Sequence, residues 1–113
     1  TERSKRVEEM LHLVGLEGLG NRRPSELSGG QQQRVAVARA MASKPEIILA
    51  DEPTANLDSK TGASLLDMMK GLNEDKGVTF VFSTHDEMIM KRAKRLINLR
   101  DGSIERDESN TNA

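Results

Sequence analysis

Two apolar segments, each followed directly by polar residues, constrain the fold of this chain most strongly. The first is the run Ile-Ile-Leu-Ala at 47–50, which ends on the acidic pair Asp51 and Glu52. The second is the segment 78–84, which is rich in β-branched and aromatic residues and is followed by His85. A short, continuous apolar run is typical of a strand that is buried on both faces of a parallel sheet. The two segments therefore predict two parallel strands with polar groups at their carboxyl ends.

Three segments with helical periodicity precede or separate these strands. Residues 2–15 carry apolar side chains at helical spacing, namely Val7, Met10, Leu11 and Val14. A second helix is expected to be capped by Ser28, to end near 44–45 and to bury Val35, Ala38, Met41 and Ala42. A third, capped by Asp58 or Ser59 and ending within 73–77, directs inward Leu65, Leu66, Met69 and Leu72. The alternation predicts an α/β fold, with a parallel sheet flanked by helices.

The remaining segments predict smaller elements. The glycine-rich stretch 15–24 is expected to be a loop, and residues 86–93 a short helix. The segments 95–100 and 103–106 flank the pair Asp101-Gly102, a combination that predicts a hairpin. The polar tail 107–113 is expected to be disordered.

Composition excludes several classes of function. Lys and Arg number 17 and Asp and Glu 18, so the net charge of -1 provides no basic field for binding nucleic acid. The chain contains no cysteine, which excludes disulfides and thiolate metal sites. Its apolar runs are far shorter than the roughly 20 residues of a membrane-spanning helix. These features predict a soluble, cytoplasmic chain with no nucleic-acid partner.

The polar residues at the strand ends are candidates for phosphate chemistry. Ligands of open α/β sheets bind at the carboxyl ends of the strands. One carboxylate there can hold the water shell of Mg²⁺, while the next orients or deprotonates an attacking water. A neutral imidazole at His85 can donate to a terminal phosphate. Taken singly, the acidic pair also fits a solvated surface pair, and His85 a capping or surface histidine.

The stretch "LSGGQ", residues 27–31, is a third candidate. Gly29 and Gly30 have no side chains that would block a close approach, and the first amides of the following helix have no partner within the helix. Phosphate oxygens bind well at such a helix start, where Ser28 can add a hydroxyl. A flexible loop is the alternative for these residues considered alone.

Together these elements resemble the ATP-binding-cassette (ABC) ATPases, the motor domains of ABC transporters. The resemblance rests on "LSGGQQQRVAVARA", then a strand ending in "DEP", then "NLD", then a strand ending in "STHD". It covers approximately residues 24–102. The details "ADEPTANLDSKTG" and "STHD" look most like the bacterial lipoprotein-releasing and macrolide-export branch.

The resemblance implies a role for individual residues. The signature stretch would contact the γ-phosphate of an ATP held by an opposite subunit, through Leu27, Ser28, Gly29, Gly30 and Gln31. Asp51 would lie on the Mg²⁺ side of the Walker B strand, and Glu52 would be the catalytic carboxylate. Asp58 would end the D-loop, residues 55–58, which links the two ATP sites of a dimer. His85 would be the switch histidine, and the implied cofactors are ATP and Mg²⁺.

One family motif is not found in these residues. No segment matches G-x-x-x-x-G-K-[ST], the Walker A phosphate loop. The chain is therefore expected to form a partial P-loop NTPase fold that lacks the Walker A half. Its predicted parts are the end of a helical subdomain at 1–27, the C-terminal half of the ATPase core at 28–106, and the tail at 107–113. Alone, it is expected not to hydrolyse ATP.

The resemblance implies the ATP-binding and ATP-hydrolysing subunit of an ABC transporter. The expected partners are a second ATPase subunit, in a head-to-tail homodimer, and an integral membrane permease. The expected location is cytoplasmic, peripheral on the inner face of the cell membrane. One alternative is a soluble ABC ATPase of DNA repair or ribosome rescue. Another is a non-catalytic, truncated interaction module.

Overall fold

The computed structural model describes residues 2–16 and 27–110, and most of the predicted loop at 15–24 lies outside these ranges. The elements follow the predicted alternation of helices and strands. They are α1 Glu2–Leu13, α2 Gly29–Met41, β1 Ile47–Asp51, α3 Ser59–Lys76, β2 Thr79–Ser83, α4 Glu87–Arg92, β3 Arg95–Arg100 and β4 Ser103–Ser109.

The strands form two separate pairs among the described residues. β1 and β2 are parallel, with Ile48 opposite Phe80 and Asp51 opposite Ser83. β3 and β4 are antiparallel, and the connecting residues Asp101 and Gly102 both have positive φ, at 50° and 81°. Two positive φ angles match the right-handed twist of a tight hairpin. The predicted parallel pair and the predicted hairpin are thus both confirmed.

Capping residues mark the start of α2 and the end of α3. α2 begins after Ser28 as predicted but ends at Met41, a few residues before the predicted stop near 44–45. α3 was expected to end within 73–77, and its last helical residue is Lys76. Gly77 then adopts a left-handed conformation, with φ 73°, and its N–H donates to the Asn73 carbonyl at 3.0 Å. A glycine in this conformation is the usual C-terminal stop of a helix.

The core lies between the helices and one face of the β1–β2 sheet. The four α3 residues predicted to point inward are all buried, at 1–5% exposure: Leu65, Leu66, Met69 and Leu72. They pack with residues of the other elements, among them Leu11, Val14, Val37, Ala38, Met41 and Ile48. The Arg34 guanidinium holds the end of α1 against this layer by donating to the Val14 carbonyl and to Ser64 Oγ, each at 2.7 Å. The domain boundary at 27 stays a prediction.

The prediction that β1 is buried on both faces is wrong. Three large side chains on one face are exposed: Ile47 at 59%, Leu49 at 78% and Val81 at 49%. Side chains alternate along a strand, and the described helices cover only the opposite face, which carries Ile48 and Phe80. We call Ile47, Leu49 and Val81 the outer face of the sheet.

The predicted start of the tail at 107 is also wrong. β4 continues through Ser109, and Asn110 donates its backbone N–H to the Lys94 carbonyl at 2.8 Å. Arg95 donates to both carboxylate oxygens of Asp107, at 2.9 and 2.6 Å. This hydrogen-bonded pair lowers the pKa of Asp107. Cross-strand pairing thus orders residues that look like a polar tail in the sequence, while 111–113 lie outside the described residues.

Candidate functional site

The carboxyl ends of β1 and β2 lie side by side, because the two strands are parallel and in register. Asp51 is exposed at the end of β1, opposite Ser83. The Glu52 N–H continues the pairing by donating to the Ser83 carbonyl at 2.8 Å. The acidic pair therefore lies beside the segment that leads from β2 to His85, as expected for a site at the edge of an open α/β sheet.

Glu52 has an unusual backbone conformation. Its φ is 46°, in the left-handed region, and its carbonyl accepts the Ala55 N–H at 3.1 Å in a tight turn. A non-glycine residue held in this region costs of order 1–3 kcal/mol and commonly marks a functional site. Its half-buried carboxylate accepts a long hydrogen bond, 3.5 Å, from Thr84 Oγ1.

His85 is exposed and lies between two residues that hold its segment. Thr84 Oγ1 accepts the Asp86 N–H at 2.9 Å, and the Asp86 carboxylate caps α4 by accepting the Met88 N–H at 2.9 Å. The structure thus brings Asp51, Glu52 and His85 to one edge of the sheet.

The signature stretch forms a capped helix start. Ser28 Oγ accepts the Gln31 N–H at 3.1 Å, and the Gln31 side chain accepts the Ser28 N–H at 3.0 Å. This reciprocal capping box defines the beginning of α2. The Gln32 side chain donates to the Leu27 carbonyl at 3.2 Å, a structural contact that the sequence pattern did not predict. Ser28 and Gln31 therefore have a structural role in addition to the expected phosphate contacts.

The two glycines of the signature stretch differ in their surroundings. Gly29 is exposed, whereas Gly30 is buried, and a Cβ atom at Gly30 would lie 2.5 Å from Thr61 Cγ2 on α3. Any larger residue at 30 would thus clash with Thr61, because α2 and α3 approach closely there. Asp58 is the residue that caps α3, where it accepts the Thr61 N–H at 3.1 Å. Hydrogen bonding to Thr61 lowers the pKa of Asp58.

Gly30→Ala is expected to destabilise the protein by about 1–3 kcal/mol, the usual cost of overpacking. The measurement is the free energy of unfolding in urea. Thr61→Ser removes the methyl group that the new Cβ would meet, so Gly30→Ala/Thr61→Ser is expected to recover most of the loss. Gly71→Ala is the matched control on an open part of α3, with no atom within 4 Å of the added carbon, and is expected to be neutral or stabilising. An unchanged stability in Gly30→Ala would contradict the packing role.

Comparison with known proteins tests the resemblance. Residues 2–55 match the family described as ABC transporter. The chain is 54% identical over 102 residues to the uncharacterized ABC transporter ATP-binding protein MJ1508 of Methanocaldococcus jannaschii, a match that covers 90% of this chain and 45% of that protein. The predicted resemblance to the ATP-binding proteins of ABC transporters is thereby confirmed.

Two further relatives refine the placement. The chain is 53% identical over 100 residues to the lipoprotein-releasing system ATP-binding protein LolD of Syntrophus aciditrophicus, covering 88% of this chain and 45% of LolD. A dimeric structure of the ATP-binding cassette MJ0796 in a post-hydrolysis state, bound to ADP and Pi, matches with a TM-score of 0.79 and 51% identity. That match covers 96% of this chain and 47% of the MJ0796 chain. This chain therefore spans about half the length of these relatives. The predicted likeness to the lipoprotein-releasing branch is confirmed.

The sheet edge offers an exposed carboxylate of the kind that holds Mg²⁺ together with phosphate oxygens and water. Among residues 2–16 and 27–110, no group of three or more His, Cys, Asp and Glu side chains could hold a metal ion. Protein sites for Mg²⁺ commonly supply one or two carboxylates, and substrate phosphates and water supply the rest. The exposed carboxylate of Asp51 suits that role. In the same described ranges, no helix is long and apolar enough to span a membrane.

The structure also shows site-adjacent residues that the sequence pattern did not single out. Thr54, Thr84 and Asp86 connect the segment after β1 to the segment after β2 through side-chain hydrogen bonds. The sequence carries a local signal for only one of the three: Asp86 stands at the capping position before the short helix α4. The contact between Thr54 and Asp86 spans 32 positions of the chain and has no local signature.

Proposed function

We propose that this chain supplies the signature and Walker B portion of an ATP-hydrolysing cassette that works in an ABC transporter. The observation that carries the proposal is the in-register parallel pairing of β1 and β2. That pairing brings two carboxylates and a histidine to one sheet edge, where each has a separate task in phosphoryl transfer.

The proposed tasks follow from the chemistry of each side chain. Asp51 holds Mg²⁺, which neutralises charge on the phosphates when it is bound. Glu52, which lies next to it but is not a metal ligand, accepts a proton from the attacking water. His85, exposed beyond β2, donates to the γ-phosphate and helps to stabilise the charge that develops there.

The signature stretch is proposed to act on an ATP bound mainly by a second subunit. Gly29 is exposed at the start of α2, and the unpaired amides of a helix start attract phosphate oxygens. Ser28 and Gln31 shape this start through the capping box, the Leu27 carbonyl accepts the Gln32 side chain, and Gly30 permits the contact with α3. A Cβ atom at Gly29 would lie 3.2 Å from Leu57 Cδ2, so the D-loop lies beside the signature stretch. The dimer of MJ0796 bound to ADP and Pi supports a homodimeric arrangement.

The proposed setting is an ATPase dimer on the cytoplasmic face of a membrane, coupled to an integral membrane permease. In such a dimer ATP closes the interface and hydrolysis reopens it. The match of residues 2–55 to the ABC transporter family and the similarity to LolD support this setting.

The test uses a completed cassette. By this we mean a chimera in which this chain replaces the segment of MJ0796 to which it aligns, 46% of that protein. The completed cassette is expected to hydrolyse ATP with Mg²⁺, whereas the chain alone is expected not to, because its groups contact only the metal and the terminal phosphate. Phosphate release under saturating ATP measures both. Turnover by the chain alone, or a folded chimera with none, would contradict the proposal.

A further inference from the structure

A buried threonine lies where β1, β2, α3 and α4 meet. Thr54 is only 7% exposed, and among the described residues it is the one buried residue with a polar side chain. Burying a hydroxyl is unfavourable unless it is hydrogen-bonded. Its partner is therefore informative about why a polar residue occupies this position.

The partner is Asp86, on the other side of the site. Thr54 Oγ1 donates to Asp86 Oδ2 at 2.5 Å, while Asp86 Oδ1 accepts the Met88 N–H at 2.9 Å. Both carboxylate oxygens are thus used, one to cap α4 and one to hold Thr54. The hydrogen bond from Thr54, followed by that from Met88, lowers the pKa of Asp86.

The same hydrogen bonds extend to the candidate catalytic carboxylate. The Asp86 N–H donates to Thr84 Oγ1 at 2.9 Å, and Thr84 Oγ1 in turn donates to Glu52 Oε2 at 3.5 Å. Thr54 lies two residues after Glu52, and Asp86 directly follows His85. The contact therefore ties the two loops that carry these groups.

α3 closes the junction from one side. A Cβ atom at Gly62 would lie 3.1 Å from Met88 Cε and 3.4 Å from Thr54 Cγ2. The absence of a side chain at Gly62 lets α3 pack directly over Thr54 and Met88. Packing thus covers the Thr54 side of the hydrogen bond and limits the access of water to it.

We propose that Thr54 and Asp86 are a positioning pair that holds the Glu52 loop and the His85 loop in a fixed relation during ATP hydrolysis. The inference rests on the proposed function. Neither residue is a catalytic residue, because each acts through its neighbour. Without the pair, the two loops can move separately, and misplacement of reacting groups slows chemistry more than it weakens binding.

The decisive variant is Thr54→Val in the completed cassette. Valine keeps the buried volume and removes only the hydroxyl donor, whereas Thr54→Ser keeps the donor. We expect Thr54→Val to lower kcat by about tenfold to a hundredfold, with KM for ATP within about twofold. Thr54→Ser is expected to restore most of kcat. A hydrogen bond that serves stability alone would leave kcat of the folded variant unchanged.

Asp86→Ser tests the other partner. Serine is a good helix cap, so α4 keeps its capping residue while the reach to Thr54 is lost. The double variant Thr54→Val/Asp86→Ser is expected to be no slower than the slower single variant, since both changes remove one interaction. Circular dichroism shows whether Thr54→Val folds. If it does not, Asp86→Ser is compared with the parent cassette instead, and a lower kcat with an unchanged KM for ATP is again the expected result.

Asp67→Asn is the matched control. Asp67 on α3 pairs with Arg92 on α4, so this variant removes the negative charge of an ion pair between elements, but at exposed side chains outside the buried junction. Its kcat is expected to equal that of the parent. A kcat for Thr54→Val within twofold of the parent, or an equal loss in Asp67→Asn, overturns the positioning role.

The outcomes separate the pair from the proposed function. A parent cassette with turnover that depends on Glu52, together with a fully active Thr54→Val variant, overturns the positioning pair alone. If the parent cassette folds but shows no ATP hydrolysis that depends on Glu52, the proposed function is overturned. The positioning role is then overturned with it.

Discussion

Glu52→Gln in the completed cassette is expected to lower the rate of ATP hydrolysis by about 10²–10⁴-fold, the usual contribution of a general base. Glutamine has the shape of glutamate and an oxygen that can still accept the Thr84 hydrogen bond, but it cannot take a proton at neutral pH. ATP binding is therefore expected to persist, and an ATP-bound dimer should accumulate. Phosphate release measures the first effect, and light scattering with ATP the second.

Glu46→Gln is the control for this prediction. It makes the same chemical change at an exposed glutamate directly before β1, at the other end of the strand from Glu52. Its turnover is expected to match that of the parent. A Glu52→Gln variant that keeps more than a tenth of parental turnover would show that another group accepts the proton. A monomer in the presence of ATP would count against the dimer.

Leu49→Ala is expected to have a small effect on stability in the chain alone and a large one in the completed cassette. In the chain alone, Leu49 is 78% exposed, so its loss should change the free energy of unfolding by less than about 0.5 kcal/mol. In the completed cassette, the same change should cost about 2–5 kcal/mol, the usual cost of truncating a buried leucine. The larger cost is expected because parallel strands are normally covered on both faces, so the remainder of the cassette should bury Leu49 on the outer face. Urea unfolding of both proteins provides the comparison.

Leu65→Ala calibrates the experiment. Leu65 is 1% exposed, and its truncation is expected to cost about 2–5 kcal/mol in both settings. If Leu49→Ala were equally mild in the completed cassette, then the outer face would be a true surface of the family fold. If it were severe in the chain alone, self-association through the outer face would be the explanation to test, by measuring sedimentation at several concentrations.

Most elements of the fold could be predicted from local sequence patterns. Helical spacing located α3 and its four buried residues. Ser28 marked the start of α2 correctly, and of the two predicted caps of α3, Asp58 and Ser59, the structure selects Asp58. These signals work because helix caps and periodicity depend on residues only a few positions apart. Asp101-Gly102 predicted the hairpin turn for the same reason.

The failures of prediction concern partners that are far apart in the chain. Polar residues 107–109 look like a tail, but they pair with β3 across the hairpin. The apolar run of β1 indicates burial on both faces, yet the described helices cover only one. In both cases the polarity of the residues was interpreted correctly. Which segment packs or pairs against them could not be known from the sequence.

The candidate site shows the same division. Asp51, Glu52 and His85 could each be picked out, because polar residues after apolar strands are a local signal. The resemblance to ABC ATPases supplied their proposed roles. The link between Thr54 and Asp86, 32 positions apart, was not predicted by either route.

The sequence by itself determined which segments become helices and strands, and which polar residues follow the strands. The tertiary structure alone decided that β1 and β2 pair in register and that Gly30 must accommodate Thr61. It also decided that a buried hydroxyl ties the Glu52 loop to the His85 loop. The physical reason is the range of the interactions: caps and periodicity act within a few residues, whereas register, close helix contacts and buried hydrogen bonds arise only once distant segments meet.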